Sequence, residues 1–299
     1  MNWSLANSEL AHGWRSARPL LGTIVSIWAS DQIDPALACD QSLLSQAVDA
    51  AFKEVQSVHT AMSFQDPQSE LSMVNRLAAE RRVQLSPPLH RVLRAALALA
   101  KASDGAFDPT VAAALVRSGH LPAPNDESAV GTASWRDVVL SSGGMVRFTR
   151  PLWLDLGGIA KGYAIDRAID CLRRAGIRAA TVNAGGDLRS FGHLHTVSVR
   201  DPALPGRSIP LLQARNLAVA TSAGYFSRQR GRSALINPRT QRSSSRPDSV
   251  TVCAPRALWA DALTKVVWFA EPQRAAALLT QLRASAMWLN PRGQRRAVA

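Results

Sequence analysis

The stretch WLDLGGIAKGYAIDRAIDCLRRAGIRAATVNAGGD, Trp153 to Asp187, reads as a strand, a glycine turn, a lysine-bearing helix, a second strand and a second glycine pair. Apolar runs that end in Gly-Gly and pass directly into a helix leave backbone N–H groups where a phosphate can sit, and Lys161 falls in the first helical turn. The helix dipole disfavours a cation at that end, so an anion that compensates both makes sense of the lysine. Ile165, Ile169 and Leu172 form the packing face of the helix, and Asp166 points elsewhere, toward an arginine. Asp155 and Asp187 bracket the whole unit, which is read as a site for a polyphosphate ligand.

Upstream, Thr23 to Ala29 is expected as a strand, and Val48, Phe52, Val55, Val58 and Met62 share one helical face over 47–62. A second helix starts at Ser69, an N-cap followed by Glu70, and a third after Ser86-Pro87-Pro88, with Leu89, Val92, Leu93, Ala96, Leu97 and Ala100 as its core face. Beyond the loop GAFDPT (Gly105–Thr110) and a polar stretch over 118–134, Val138–Leu140 and Met145–Thr149 form a hairpin. Downstream come short strands over 188–220, an exposed loop at Gln241–Asp248 and a strand at Val250–Ala254. Helices at Leu258–Phe269 and around Gln273–Leu282 follow, with a last strand near Ala286–Leu289. Helices first and strands interspersed later give an α+β class rather than a doubly wound sheet.

A chain of 299 residues that is 46% hydrophobic has the material for a sizeable core. No window approaches a membrane-spanning length, and a cytoplasmic location is expected. Three scattered cysteines signal neither a disulfide framework nor a thiolate metal site. A formal charge of +13 favours polyanions, but no aromatic stripe or nucleic-acid module interleaves the basic residues, so a nucleic-acid groove is not expected. Only four of the 35 basic residues are lysine, at positions 53, 101, 161 and 265. Where arginine is the default, a retained lysine can mark a need for a compact ammonium; Lys161 and Lys265 fall in motifs, whereas Lys53 and Lys101 lie on ordinary amphipathic helices.

Taken in order, nine pieces of this chain resemble the ApbE family, the FAD:protein FMN transferases. They are LLGT (Leu20–Thr23), MSFQDPQSEL (Met62–Leu71), GAFDPT, DLGGIAKGYAID, NAGGD, AVATSAGY (Ala218–Tyr225), ALINPRT (Ala234–Thr240), SVTVCAP (Ser249–Pro255) and WADALTK (Trp259–Lys265). The resemblance implies a single α+β domain over 16–292, with mixed sheets flanked by helices and FAD in a central cleft, preceded by a flexible extension over 1–15 and followed by a basic tail over 293–299. It implies cleavage of FAD with Mg²⁺ and attachment of FMN through a phosphoester bond to a Thr or Ser of a target flavoprotein, with release of AMP. By motif position, Leu21, Phe64, Ala106, Phe107, Asp108, Asp155, Lys161 and Leu235 would line the FAD site. The Gly158 carbonyl, Asp261 and Thr264 would face the metal, and Asp261, Thr264 and Lys265 would carry the catalytic motif.

Two positions depart from the family pattern. Four residues after Asp261, where the family has a threonine at the metal, stands Lys265, on the same helical face and able to pair with Asp261 or to neutralise pyrophosphate itself. Four residues before Pro238, where the family commonly has a histidine, stands Ala234, and none of the six histidines lies in an equivalent motif; His193 and His195 are read as surface residues. These departures keep a second function open: an FAD-binding relative with weak or no transfer, acting as flavin carrier or chaperone.

Overall fold

The computed structural model describes residues 13–34, 37–124, 133–204, 206–225 and 233–298. Strands β1 (Trp14–Leu20) and β2 (Thr23–Ser30) form an antiparallel hairpin whose turn holds Leu21 at φ 56°, an uncommon conformation for a leucine. Helix α1 (Gln41–Met62) starts earlier than its apolar stripe, because Asp40 accepts the amides of Ser42 and Leu43; the stripe from Val48 to Met62 is buried as expected. Ser69 caps α2 (Glu70–Leu77), and after the short β3 (Val83–Gln84), Ser86 caps α3 (Pro87–Ala102), whose first residue is a proline without an N–H to satisfy. A helix not expected from the sequence, α4 (Ala112–Arg117), follows the GAFDPT loop and buries Ala112 to Leu115. Strands β4 (Val138–Leu140) and β5 (Met145–Phe148) complete a three-stranded sheet in the order β3-β5-β4.

Residues 153–156, expected as a strand, pair with no strand among the described residues. Side-chain and loop groups replace the ladder. The Leu154 N–H donates to Asn75 Oδ1 (2.8 Å), Asn75 Nδ2 donates to the Leu154 carbonyl (3.0 Å), and the Asp155 N–H donates to the Pro109 carbonyl (2.8 Å). This ties the first glycine turn to α2 and to the GAFDPT loop. Helix α5 (Ala160–Arg174) then runs into β6 (Ala179–Ala184), the Gly185-Gly186 turn and β7 (Asp187–Phe191).

Strands β8 (His195–Arg200) and β9 (Ser208–Ala214) pair with each other, β10 (Ala218–Ala223) returns to the main sheet, and β11 (Ile236–Asn237) pairs with β12 (Arg242–Ser243). The stretch 241–248 is therefore not wholly a loop. After β13 (Ser249–Ala254) come α6 (Ala257–Phe269), α7 (Pro272–Gln281), β14 (Ser285–Leu289) and β15 (Arg295–Ala297). The main sheet has eight strands in the order β1-β2-β6-β7-β10-β13-β14-β15, every recorded pair antiparallel. Its two edges correct the expected boundaries: Trp14 and Arg15 belong to β1, and Arg295–Ala297 add an edge strand where a tail was expected. Residues 1–12 of the expected extension lie outside the described residues. Among the described residues, no helix is long and apolar enough to cross a membrane.

Helix α5 lies between α1 and α6 and packs on β6 and β7, while α6 packs on β10 and β13. The α5–α6 contact is backbone to backbone at Gly162, where a Cβ would lie 2.1 Å from the Ala257 carbonyl oxygen. Gly162→Ala must separate the two helices, and is expected to lower the unfolding free energy by about 1–3 kcal/mol, the usual range for overpacking. Denaturant titration measures this, and a change below about 0.5 kcal/mol, the size of an ordinary surface substitution, would contradict so close an approach.

Candidate functional site

The second turn of α6 and the first turn of α5 face each other across that glycine contact, and their polar groups meet there. Asp261 on α6 is 1% exposed and takes three donors on its carboxylate: Lys265 Nζ at 2.6 Å on Oδ1, and Lys161 Nζ at 3.4 Å and the Gly162 N–H at 3.2 Å on Oδ2. Lys161 also donates to Asp187 Oδ2 at 2.6 Å, and the Thr221 N–H of β10 donates to Asp187 Oδ1 at 3.1 Å. Two helices and two strands are thus joined through two carboxylates and two ammonium groups. Thr264 donates to the Asp261 carbonyl at 2.7 Å, so the 2.7 Å contact with Ser222 Oγ has Ser222 as donor.

Burial alone would draw the Lys161 ammonium toward its neutral form, but Asp187 and Asp261 outweigh it and the amine holds its proton more tightly than an ordinary lysine. Burial likewise works to raise Asp261, and Lys161 and Lys265 hold it below the usual carboxylate range. Burial pushes Asp155 up, with the Gly157 N–H and the two lysines only partly opposing it, and pushes Asp187 up against the pull of Lys161.

These residues stand at one side of a cavity of about 360 Å³. Gly157, Gly158 and Gly185 bring both glycine turns to its wall, Asp155, Lys161, Asp187 and Lys265 supply charge, and Thr221 and Ser222 supply hydroxyls. Of the residues expected to contact FAD, Ala106, Phe107, Asp108, Asp155, Lys161 and Leu235 line the cavity, whereas Leu21 and Phe64 do not. Leu21 sits in the β1–β2 turn, and Phe64 packs edge-on against Trp153, with ring centroids 6.4 Å apart. Asp108 reaches the wall with its carboxylate engaged: Oδ1 accepts Thr110 N–H and Oγ1, and Oδ2 accepts the Trp135 N–H. Asp261 and Thr264 lie behind the wall, reached through Lys161, Lys265 and Ser222.

Three features had not been singled out for the site. His120, just beyond α4, lines the cavity with Nδ1 2.9 Å from Ser118 Oγ; it follows a helix that has no periodic signal of its own. Asp187 was noted only as a bracket, yet it is the closest partner of Lys161. Asp166, 1% exposed, accepts Arg189 Nη1 at 2.7 Å and the first two amides of α6, Ala257 and Leu258, at 3.0 and 3.1 Å, and so caps α6 from α5. His193 and His195, read as surface residues, are instead partly buried: His193 packs on Trp28 at 4.5 Å and bonds Thr181 Oγ1, and burial lowers His195 to about 4. Neither lines the cavity.

The family model described as "ApbE family" matches residues 21–288. The chain belongs to the ApbE family. The FAD:protein FMN transferase of Treponema pallidum is 27% identical over 268 residues, covering 79% of this chain and 74% of that protein. The FAD:protein FMN transferase of Chlamydia pneumoniae is 28% identical over 248 residues, covering 77% of each. Among solved structures, the ApbE protein of Thermotoga maritima superposes with a TM-score of 0.77 at 26% identity, over 96% of this chain and 97% of that one.

The ApbE resemblance implies Mg²⁺ held by the Gly158 carbonyl, Asp261 and Thr264, and the donor set does not fit it. Mg²⁺ requires oxygen ligands at about 2.1 Å in near-octahedral geometry. Both Asp261 oxygens already face ammonium groups, Thr264 has its proton on the Asp261 carbonyl and accepts from Ser222, and the Lys265 stem lies against Gly158, with Cε 3.4 Å from where a Cβ would be. Among the described residues, no group of three or more His, Cys, Asp or Glu is arranged to hold a metal ion.

Proposed function

We propose that this chain is an FAD:protein FMN transferase: it binds FAD in the cavity, cleaves the pyrophosphate and joins FMN through a phosphoester bond to a Thr or Ser hydroxyl of a target flavoprotein, releasing AMP. The observation that carries the reading is the pair of ammonium groups, Lys161 and Lys265, anchored on Asp261 at the wall formed by the two glycine turns. Backbone amides at a helix start and fixed cations are what a pyrophosphate needs, and such transfer depends mainly on positioning and charge. Ala106, Phe107 and Leu235 offer an apolar wall to a ring system.

In the proposed reaction the acceptor oxygen attacks the FMN phosphorus in line. The bond from that phosphorus to the bridging oxygen breaks, its electron pair leaves on the AMP phosphate, and the hydroxyl proton passes to a base. His120 is the imidazole that lines the cavity and fills that role, which Ala234 on the same wall does not supply. The Mg²⁺ implied by the resemblance has no step here, since its expected ligands are engaged by the lysines and by Ser222.

Incubation with FAD and a flavoprotein fragment bearing an acceptor threonine is expected to give a fluorescent band that survives denaturing electrophoresis, with equimolar AMP. Stoichiometric FAD binding with neither product would refute transfer and leave the FAD-binding relative as the better description. His120→Gln is expected to slow transfer by about 100-fold or more, the loss typical of a positioned base. FAD affinity should stay within about twofold in that variant; unchanged transfer would remove His120 from the mechanism.

A further inference from the structure

We propose that Lys265, held by Asp261, supplies the fixed positive charge that faces the pyrophosphate, so that this chain binds FAD without a divalent cation. The proposal rests on the transferase reading above and adds what balances the charge of its substrate. Lys265 and Asp261 are four residues apart on α6 and therefore on one face. The ammonium is fixed by two acceptors on the same residue, Asp261 Oδ1 at 2.6 Å and the Asp261 carbonyl at 3.0 Å. A lysine ammonium has three N–H donors, which leaves one for a ligand in the cavity that Lys265 lines.

Its place is also the place a metal would need. The stem lies against Gly158 beside Phe107, and its head sits on one oxygen of the single carboxylate expected to ligate. The other oxygen of that carboxylate is taken by Lys161 and by the Gly162 amide. A divalent cation could enter only by expelling an ammonium from a group that is 1% exposed. Lys161 and Lys265 then stand on one carboxylate as a paired cationic clamp. A compact ammonium, unlike a planar guanidinium, can act as a point charge there, which suits a chain that otherwise uses arginine.

When an acceptor hydroxyl displaces AMP, the bond between the FMN phosphorus and the bridging oxygen breaks and the charge grows on the AMP phosphate; the acceptor proton leaves to His120. Lys265 stabilises that developing charge from a fixed position, as a preorganised donor does.

The test measures FAD binding by flavin fluorescence quenching, in EDTA and in excess Mg²⁺, for the full chain and for Lys265→Thr and Lys265→Met. The unmodified protein is expected to bind FAD equally, within about twofold, in both conditions, and to transfer FMN in EDTA. Both variants should lose about tenfold or more in metal-free FAD affinity, and Mg²⁺ should restore Lys265→Thr, which gains a hydroxyl ligand, but not Lys265→Met. Thermal melts establish that each variant is folded before binding is scored. Mg²⁺-dependent FAD binding by the unmodified protein, or unchanged metal-free affinity in Lys265→Met, overturns the proposal while leaving the transferase reading intact. Absence of FAD binding in every condition overturns both.

Discussion

Asp261→Ala is expected to reduce FMN transfer by at least about 100- to 1,000-fold, the scale set by removing a preorganised electrostatic group, and to lower the unfolding free energy by about 3 kcal/mol. The carboxylate holds Lys161, Lys265 and the Gly162 amide from a position that is 1% exposed, so no water replaces it. Lys161 keeps Asp187 as a partner, but the Lys265 side chain, 20% exposed, loses its carboxylate partner. That partial exposure places the expected cost at the low end of the range for a broken buried pair. The contribution also has a definite pH sense. Asp261 is held below the usual aspartate range, so its stabilisation is full above about pH 4 and is lost as the pH falls through the lowered folded value. Denaturant titration at neutral pH and the gel assay for covalent flavin together measure both effects. A variant with unchanged stability and unchanged transfer would show that the clamp is not organised by Asp261.

Asp166→Ala is expected to lower the unfolding free energy by about 3–5 kcal/mol without touching the cavity. Its carboxylate meets Arg189, which is 6% exposed, pairs with Arg256 Nε at 3.2 Å, and satisfies two amides at the start of α6. Removing it leaves the buried Arg189 guanidinium with the more distant Asp170, at 3.8 Å, and two helix-terminal N–H groups without their acceptor. Because α6 carries Asp261, Thr264 and Lys265, the same change should shift those groups relative to Lys161 on α5. FAD affinity should therefore fall at temperatures where the variant is still folded by circular dichroism. Asp166→Asn keeps one acceptor oxygen and is expected to lose less on both measures. A variant that melts early but binds FAD normally while folded would confine Asp166 to stability and deny it a positioning role.

Local chemistry explains which parts of this molecule could be read in advance. The apolar faces of α1 and α3, the start of α3 after Ser86 and the strand that ends in Gly185-Gly186 follow from periodicity and turn residues, which act over a few positions, whereas the Asp40 cap ahead of the α1 stripe was not read. Asp155 and Lys161, beside the first glycine turn and lining the cavity, were singled out for the same reason. The segment before Gly157 was read as a strand from composition alone, but its backbone partners are Asn75 and Pro109, and no local pattern announces a ladder replaced by a side chain. Asp166 presented itself as an acid away from the packing stripe; its role depends on α6, about ninety residues later in the chain. His120 reaches the cavity because α4 turns the chain inward after GAFDPT, and a six-residue helix is too short to show a period. Lys265 stood out because it breaks a pattern, and its pairing with Asp261 was legible from the four-residue spacing.

The most direct test is the structure of the protein with FAD, obtained in the presence of Mg²⁺. The account predicts the pyrophosphate against the Gly157–Gly158 turn, in hydrogen-bond contact with Lys161 and Lys265, with Lys265 still bonded to Asp261. FAD phosphates placed elsewhere, or Mg²⁺ seated on Asp261 with Lys265 swung away, would contradict it.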